Sequence, residues 1–227
     1  MTSGEDEKES GSDALRAAAE TMHQVRDRCV WTQRVDHRAL VPYLVEESAE
    51  LIDAVETGSR AELREELGDL LWQVLFHAEI ASRDPDDPFD IDDVARSLTD
   101  KMVHRHPHVF AGEVAETPEQ VLMLWNAAKA AEKHERTSVL DGVSERMPSL
   151  ALAQKLIGKA SAVGVDAGRT AADAVAAAPR SEAELGEALL ALVAVARANG
   201  WDAERALRER LRTLQSAVRD AEADLGQ

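Results

Sequence analysis

The sequence of 227 residues predicts an all-α protein, and three observations support this class. Ala, Leu, Glu and Arg, which favour helices, dominate from Asp13 onward. Runs of β-branched residues are rare, and no pair of alternating segments indicates two neighbouring strands. Gly and Pro interrupt the helical pattern at intervals that suit single helices. We therefore expect a series of helices connected by short breaks.

The first half of the chain is predicted to contain a tail and five helices. Residues 1–12 are acidic and polar and are expected to form a solvated, disordered tail. Helices are predicted over residues 13–29, 38–57, 60–83, 90–105 and 118–134. Gly58 separates the second helix from the third, Pro85–Pro88 follow the third, and Pro107 ends the fourth. A helical domain over residues 13–131 follows from this pattern.

The second half is predicted to contain four helices, over residues 149–162, 170–178, 181–199 and 202–224. The charged segment 132–149 is marked by Pro and Gly, so we expect a linker there and a second helical domain over 150–227. A weak repeat relates residues 65–71 (EELGDLL) to residues 183–189 (AELGEAL). Because the second copy has more alanine and fewer paired acids, chemistry is expected in the first half.

The charge balance excludes several function classes. The 43 acidic residues outnumber the 26 basic ones, which argues against binding to nucleic acid or to an anionic membrane. The sequence contains no run of about 18 apolar residues, so it predicts no membrane span. The first residues contain no apolar signal core. The single cysteine, Cys29, excludes an internal disulfide and a cysteine-based zinc site. The expected compartment is the cytoplasm.

Two pairs of carboxylates occur with the same spacing on the second and third predicted helices. Glu47 and Glu50 lie three residues apart, and so do Glu66 and Asp69. At about 100° per residue, each pair falls on one flank of the apolar stripe of its helix, whereas Glu46 points away. Two helices packed through matching stripes would bring both pairs to the same side of their seam.

The break between these helices is short enough to predict an antiparallel hairpin. One apolar arc on each helix is expected to face the core. These arcs contain, on the second helix, Leu44, Val45, Ser48, Leu51, Ile52 and Val55, and on the third, Leu63, Leu67, Leu70, Leu71, Val74 and Ala78.

Four half-buried carboxylates repel one another and resist desolvation. A divalent cation removes both costs, and oxygen-only ligands favour Mg²⁺ or Mn²⁺ over zinc and copper. Because Mg²⁺ binds through carboxylates together with substrate phosphates, the spacing indicates metal-assisted phosphate chemistry. The alternative is a solvated acidic face on an amphipathic hairpin, since such runs are common on helices.

At these residues the sequence resembles the MazG family of nucleoside triphosphate pyrophosphohydrolases. The stretch Glu46-Glu47-x-x-Glu50 followed by Glu66-x-x-Asp69 is similar to that family's metal motif. Further similar segments are residues 31–47 (WTQRVDHRALVPYLVEE), 101–110 (KMVHRHPHVF), 125–129 (WNAAK) and 138–166 (SVLDGVSERMPSLALAQKLIGKASAVGVD). One departure is Cys29-Val30-Trp31-Thr32, where the family usually has Cys-Pro-Trp-Asp.

The resemblance implies tandem helical-bundle units of the all-α NTP pyrophosphatase type, assembled as a homodimer or higher oligomer. The second copy is expected to be degenerate, because residues 170–175 (TAADAV) contain no second EExxE stretch. The implied reaction is hydrolysis of ribo- and deoxynucleoside triphosphates, damaged ones included, to monophosphate and pyrophosphate. Mg²⁺ is the implied cofactor and Mn²⁺ a substitute, and a water is expected to attack the α-phosphorus.

The resemblance also implies roles for individual residues. The implied metal ligands are Glu47, Glu50, Glu66 and Asp69. The implied catalytic residues are the same four together with Glu46. The implied substrate-binding residues are Trp31, Lys101, Arg105, Trp125 and Lys129. The alternative interpretation of Lys101 and Arg105 is an ordinary basic helix face, and that of Trp125 is a tryptophan that anchors the core.

Three functions remain open on the sequence. The first is a broad nucleoside triphosphate pyrophosphohydrolase, the second a narrower dUTP or dCTP pyrophosphatase, and the third a catalytically inert helical interaction module. No P-loop sequence occurs, which excludes a P-loop NTPase. His104, His106 and His108 alternate around Pro107 and do not share a helix face, so we expect them to support a turn rather than bind zinc.

Overall fold

The computed structural model describes residues 6–132, 138–165 and 179–213, and for residues 6–13 and 162 it describes the backbone alone. All regular elements in these ranges are helices, which confirms the all-α prediction. No described helix is both long enough and apolar enough to cross a bilayer. The chain divides into two compact units, Met1–Glu132 and Lys133–Gln227.

The first unit contains the five helices that the sequence predicts and two short helical elements that it does not. The elements are α1 (Asp6–Arg28), a 3-10 turn (Thr32–Arg34), α2 (Val41–Glu56), α3 (Arg60–Ala81), α4 (Ile91–Arg105), α5 (Pro107–Phe110) and α6 (Pro118–Ala131). Residues 6–12 are helical, which differs from the expected disordered tail. These residues include Glu and Lys, which favour helix, and contain no Pro, although none of them is apolar.

The core of the first unit lies where α1, the 3-10 turn and α3 meet. Its buried side chains are Met22, Val35, Leu40, Leu75 and Phe76. Burial of a side chain of this size contributes about 1.5–3 kcal/mol, so the two from α3 fix the rotation of that helix about its axis. This rotation leaves the side of α3 that carries the carboxylates free to face α2.

A polar network connects α1 to the C-terminal end of α3. The guanidinium of Arg83 donates to Asp27 at 2.7 Å and to Glu79 at 2.6 Å, and His23 lies 3.1 Å from Glu79. Arg83 is partly exposed, so each pair is worth little, but the shared partners restrict all four side chains. The network therefore orients α3 relative to α1.

The expected core arcs of the α2–α3 hairpin are only partly buried within one chain: five of the twelve residues are exposed, six are half-buried and Ala78 is buried. Val45 is 64% exposed, Val55 65% and Leu67 52%. The buried residue of α2 is Ala54, which lies on the flank that also carries Glu47. Small side chains allow the closest helix approach, so α3 packs against this flank, where Leu44 and Leu51 are half-buried.

The second unit contains α7 (Ser149–Ala162) and α8 (Glu182–Ala198), which pack together, and residues 203–213 are helical. Ile157, Ala191 and Val193 are its buried apolar side chains within the described ranges. The predicted helix over 170–178, the TAADAV stretch and the end of the helix predicted over 202–224 lie outside the described residues. The relation of this unit to the first as a degenerate copy stays a prediction.

Candidate metal centre

The connection between α2 and α3 is three residues long and tightly hydrogen bonded. The backbone N–H of Thr57 donates to the carbonyl of Asp53 at 2.8 Å. A Cβ on Gly58 would lie 2.7 Å from the Cα of Ala54, so only glycine fits this close approach. Ser59 begins α3 with a capping box, in which its hydroxyl accepts from the N–H of Glu62. The chain therefore returns along α2 in the antiparallel direction.

This hairpin brings together three of the four carboxylates that the sequence singles out. One oxygen from each of Glu47, Glu66 and Asp69 lies within 4.8 Å of the other two. Glu47 comes from the second turn of α2, and the other two come from successive turns of α3. Glu50 is exposed beside this group, and Glu46 is exposed as the wheel predicts. We call Glu47, Glu66 and Asp69 the carboxylate cluster.

Burial and mutual repulsion raise the pKa of two members of the cluster. Desolvation is the largest cause of the raised pKa of Glu47, followed by the charges of Asp69, Glu50 and Glu46. Desolvation also leads for Glu66, whose pKa is raised further by the charge of Glu50 and then by that of Asp69. The charge of Glu50 therefore raises the pKa of one carboxyl on each helix, although the Glu50 oxygens lie outside the cluster.

No cation of the chain neutralises these charges within residues 6–132. None of the ion pairs in this range involves a member of the carboxylate cluster or Glu50. The Oε2 atom of Glu66 is buried and has no hydrogen-bond partner among the described residues. A buried acceptor without a donor costs about 1–3 kcal/mol, which a bound cation or water would recover. The donor set therefore fits a hard divalent cation with oxygen ligands.

Gln73 is a buried neighbour of the cluster that the sequence analysis missed. It lies one turn after Asp69 and two turns after Glu66 on α3, and it is 5% exposed. The Gln73 side chain partly offsets the rise in the pKa of the Glu47 carboxyl. The spacing of Glu66, Asp69 and Gln73 at i, i+3 and i+7 could have identified it.

An aromatic group lies one turn before Glu47. Trp31, which is 51% exposed, makes edge-to-face contacts with Tyr43 at a centroid distance of 6.0 Å and with Phe76 at 6.4 Å. Tyr43 precedes Glu47 by four residues, so both lie on one face of α2. A half-exposed indole held by two rings offers a surface on which a base could stack.

Two of the predicted substrate-binding residues contact each other and not the carboxylate cluster. The guanidinium of Arg105 donates to both oxygens of Glu132, with the shortest contact at 2.5 Å, and lies 5.2 Å above the ring of Trp125. Arg105 is only 8% exposed, and its raised pKa has the Glu132 hydrogen bond as its main cause. Lys101 is exposed on α4, and Lys129 lies in the last turn of α6.

The histidines after Lys101 form no metal group with other ligands among the described residues. The Nδ1 atom of His106 lies 2.6 Å from the carbonyl of Met102, and its ring contacts Trp125 edge-on at 5.0 Å. His104 lies 3.9 Å from Glu132. A different pair, His37 and His77, stacks with Nδ1 atoms 2.8 Å apart, a long-range contact that no local pattern predicts.

Comparison with known proteins gives a consistent set of relatives. The family model of the MazG nucleotide pyrophosphohydrolase domain matches residues 35–110. An uncharacterized 26.1 kDa protein of Streptomyces cacaoi is 49% identical over 92% of this chain and 82% of its own length. The nucleoside triphosphate pyrophosphohydrolase of Escherichia coli is 31% identical over 92% of this chain and 86% of its own length.

Two further relatives match shorter parts. The nucleoside triphosphate pyrophosphohydrolase of Mycobacterium tuberculosis is 49% identical over 66% of this chain, which spans only 46% of that protein. The solved structure of a mazG-related protein from Thermotoga maritima aligns with 50% of this chain and 97% of its own, with 26% identity and a TM-score of 0.44.

Proposed function

The chain belongs to the MazG family of nucleotide pyrophosphohydrolases, and from this premise we propose that it hydrolyses nucleoside triphosphates to monophosphate and pyrophosphate. The observation that supports this most is the carboxylate cluster, in which oxygens from α2 and α3 converge within 4.8 Å without a cation partner. All its members fall within the residues that the family model matches. An inert interaction module would have no need to maintain such repulsion.

We propose Mg²⁺ as the cofactor, with Mn²⁺ as a substitute. Glu47, Glu66 and Asp69 would hold the cation, and Glu50 lies close enough to join them from the solvent side. When bound, the cation would neutralise triphosphate charge and lower the pKa of a coordinated water. We also propose that Glu46 takes part in catalysis, as the family resemblance implies.

The remaining residues would bind the substrate. Trp31 would stack on the base beside the cluster, since its ring is half exposed and supported by two other rings. Lys101 and Lys129 are proposed to offset phosphate charge. Arg105 and Trp125 would act on the substrate only indirectly, by holding α4 against α6, because the charge of Arg105 is already paired with Glu132.

A pyrophosphate-release assay over common and damaged nucleotides, with and without Mg²⁺, tests this function. We expect release that requires the metal. Activity on all triphosphates would support the broad enzyme, and activity confined to dUTP or dCTP would support the narrower one. No turnover of any nucleotide with Mg²⁺ or Mn²⁺ would contradict the proposal and leave the interaction module.

The position of bond cleavage can be tested with the same enzyme. We propose that water attacks the α-phosphorus, so that the bond between this atom and the bridging oxygen breaks and pyrophosphate leaves. Hydrolysis in ¹⁸O-labelled water should then place the label in the monophosphate. Label in the pyrophosphate would show attack at the β-phosphorus instead, because both routes give the same unlabelled products.

We further propose a homodimer that covers the exposed apolar stripe of the hairpin. Val45 and Ile52 lie seven residues apart on α2, Leu67 and Val74 lie seven apart on α3, and all four are at least 39% exposed. Spacing by seven keeps side chains on one face, as helix–helix interfaces require. A second copy offers the same stripe, which is the requirement for an isologous interface. Light scattering after size exclusion tests this, and a monomer at micromolar concentration would contradict it.

A further inference from the structure

The 3-10 turn that follows Trp31 begins with a buried hydroxyl. Thr32 is 4% exposed, and its hydroxyl donates to the carbonyls of Val25 and Cys29, each at 3.0 Å. The family usually has Asp at this position, and an ionised carboxylate can only accept hydrogen bonds. Thr32 therefore joins the start of the turn to the end of α1 by a contact that the usual residue could not make.

A buried arginine holds the other end of this turn. Arg26 of α1 is 9% exposed, and its guanidinium donates to the carbonyl of Val35 at 2.9 Å. The same guanidinium lies over the Phe76 ring, 5.8 Å from the ring centre, and the face of an aromatic ring attracts a cation. None of the ion pairs within residues 6–132 involves Arg26. The contacts of this buried cation are therefore with the turn and with Phe76.

Both contacts lead to the half-exposed ring of Trp31. Phe76 of α3 is 2% exposed and lies edge-to-face with Trp31 at a centroid distance of 6.4 Å. The turn fixes the backbone beside Trp31, and the buried Phe76 ring limits the movement of its side chain. A ring that is already held in one orientation loses little freedom when a flat group stacks on it, so more of the stacking energy is retained as affinity.

We propose that Arg26 and Thr32 are positioning residues that hold the Trp31 ring where the base of the nucleotide stacks. This inference rests on the proposed function, since it concerns the same substrate. Both side chains are buried, so their effect reaches the substrate through Trp31. Removal of either should raise KM and leave kcat unchanged, because stacking on the base acts equally before and during attack at the phosphorus.

The test measures pyrophosphate release by three single variants, Thr32→Val, Arg26→Met and Trp31→Ala, and by the two double variants that contain Trp31→Ala. Base–aromatic stacking contributes a factor of at least about 5 in affinity, so Trp31→Ala should raise KM by that factor or more. Thr32→Val and Arg26→Met should each raise KM by about 2–10-fold, the usual effect of one lost hydrogen bond. Neither should change KM further in the Trp31→Ala background, because the ring that they hold is absent there.

Thr32→Val gives a result even if Arg26→Met does not fold. Valine keeps the shape of the side chain, and the two carbonyls that lose the hydroxyl each keep a backbone N–H partner, at 2.9 Å and 3.1 Å. Thr21→Val is the matched control, because the Thr21 hydroxyl donates to the carbonyl of Ala17 at 2.8 Å at an exposed position of the same helix. It should leave KM and kcat as in the wild type.

The outcomes separate this inference from the proposed function. A rise in KM that occurs only where Trp31 is present supports the positioning role. An unchanged KM in Thr32→Val or in Trp31→Ala would overturn it, and so would an equal rise in KM with and without Trp31, since the effect would then not pass through the ring. A wild type that releases no pyrophosphate from any nucleotide would instead contradict the proposed function.

Discussion

Replacing Asp69 by Asn removes one charge from the carboxylate cluster and nearly preserves the size of the side chain. We expect this change to stabilise the metal-free protein, because the charge of Asp69 raises the pKa of Glu47. Two unit charges at 4.8 Å repel by about 0.9 kcal/mol in water and by about 3.5 kcal/mol at an effective dielectric constant of about 20. Asp69 is exposed, so the lower value applies and a gain of about 1 kcal/mol is expected.

The same variant should lose the response to metal. At a Mg²⁺ concentration of about 100 times its dissociation constant, binding stabilises the wild type by about 2.7 kcal/mol. Asp69→Asn removes one of the ligands, so most of this increment should disappear. Urea unfolding in EDTA and in Mg²⁺ measures both effects.

Asp100→Asn is the matched control for this pair of measurements. Asp100 is an exposed acid on α4, so its substitution makes the same chemical change away from the cluster. It should leave the metal response as in the wild type. The reasoning is refuted if Asp69→Asn is less stable than the wild type in EDTA, or if it keeps the full increment with Mg²⁺.

Three other predictions follow from the first unit. The pKa values of Glu47 and Glu66 are raised in the folded, metal-free protein, so just above the ordinary value of 4.5 these groups hold protons that the unfolded chain has released. They favour folding fully below the ordinary value and lose that contribution as the pH rises through their folded pKa values. Glu47→Gln should therefore make the free energy of unfolding depend less on pH, as measured by urea unfolding at pH 5 and pH 7. Arg105→Lys should lower the free energy of unfolding by about 2 kcal/mol and leave KM unchanged, because it breaks a largely buried pair with Glu132. A raised KM at unchanged stability would instead indicate that Arg105 binds the substrate directly. Val45→Glu should convert the proposed dimer to a monomer in light scattering, whereas an unchanged mass would place the interface elsewhere.

Local patterns explain which parts of the fold and the site could be predicted. Helix periodicity and the Gly and Pro breaks predict the main helices of the first unit, since both depend on residues close in the chain. The i, i+3 spacing of the carboxylates likewise predicts their convergence, because a short connection such as that at Gly58 returns one helix along the other. Three of the four expected carboxylates, Glu47, Glu66 and Asp69, meet, whereas Glu50 is exposed and lies outside the group.

Contacts between distant residues explain the remainder. The exposure of Val45 and Val55 depends on which flank of α2 packs against α3, and a helical wheel contains no information about its neighbours. The pairing of Arg105 with Glu132, 27 residues away, follows from the packing of α4 against α6. Gln73 carries no charge, so the spacing of the carboxylates alone does not identify it as a neighbour of the cluster.

The central claim is that α2 and α3 together hold one divalent cation. The most direct measurement is an anomalous difference map at the manganese edge, from crystals of the wild-type protein soaked in Mn²⁺. We expect a peak about 2.0–2.6 Å from oxygens of Glu47, Glu66 and Asp69. A peak at other residues, or no peak in crystals of an enzyme that Mn²⁺ activates, would contradict the account.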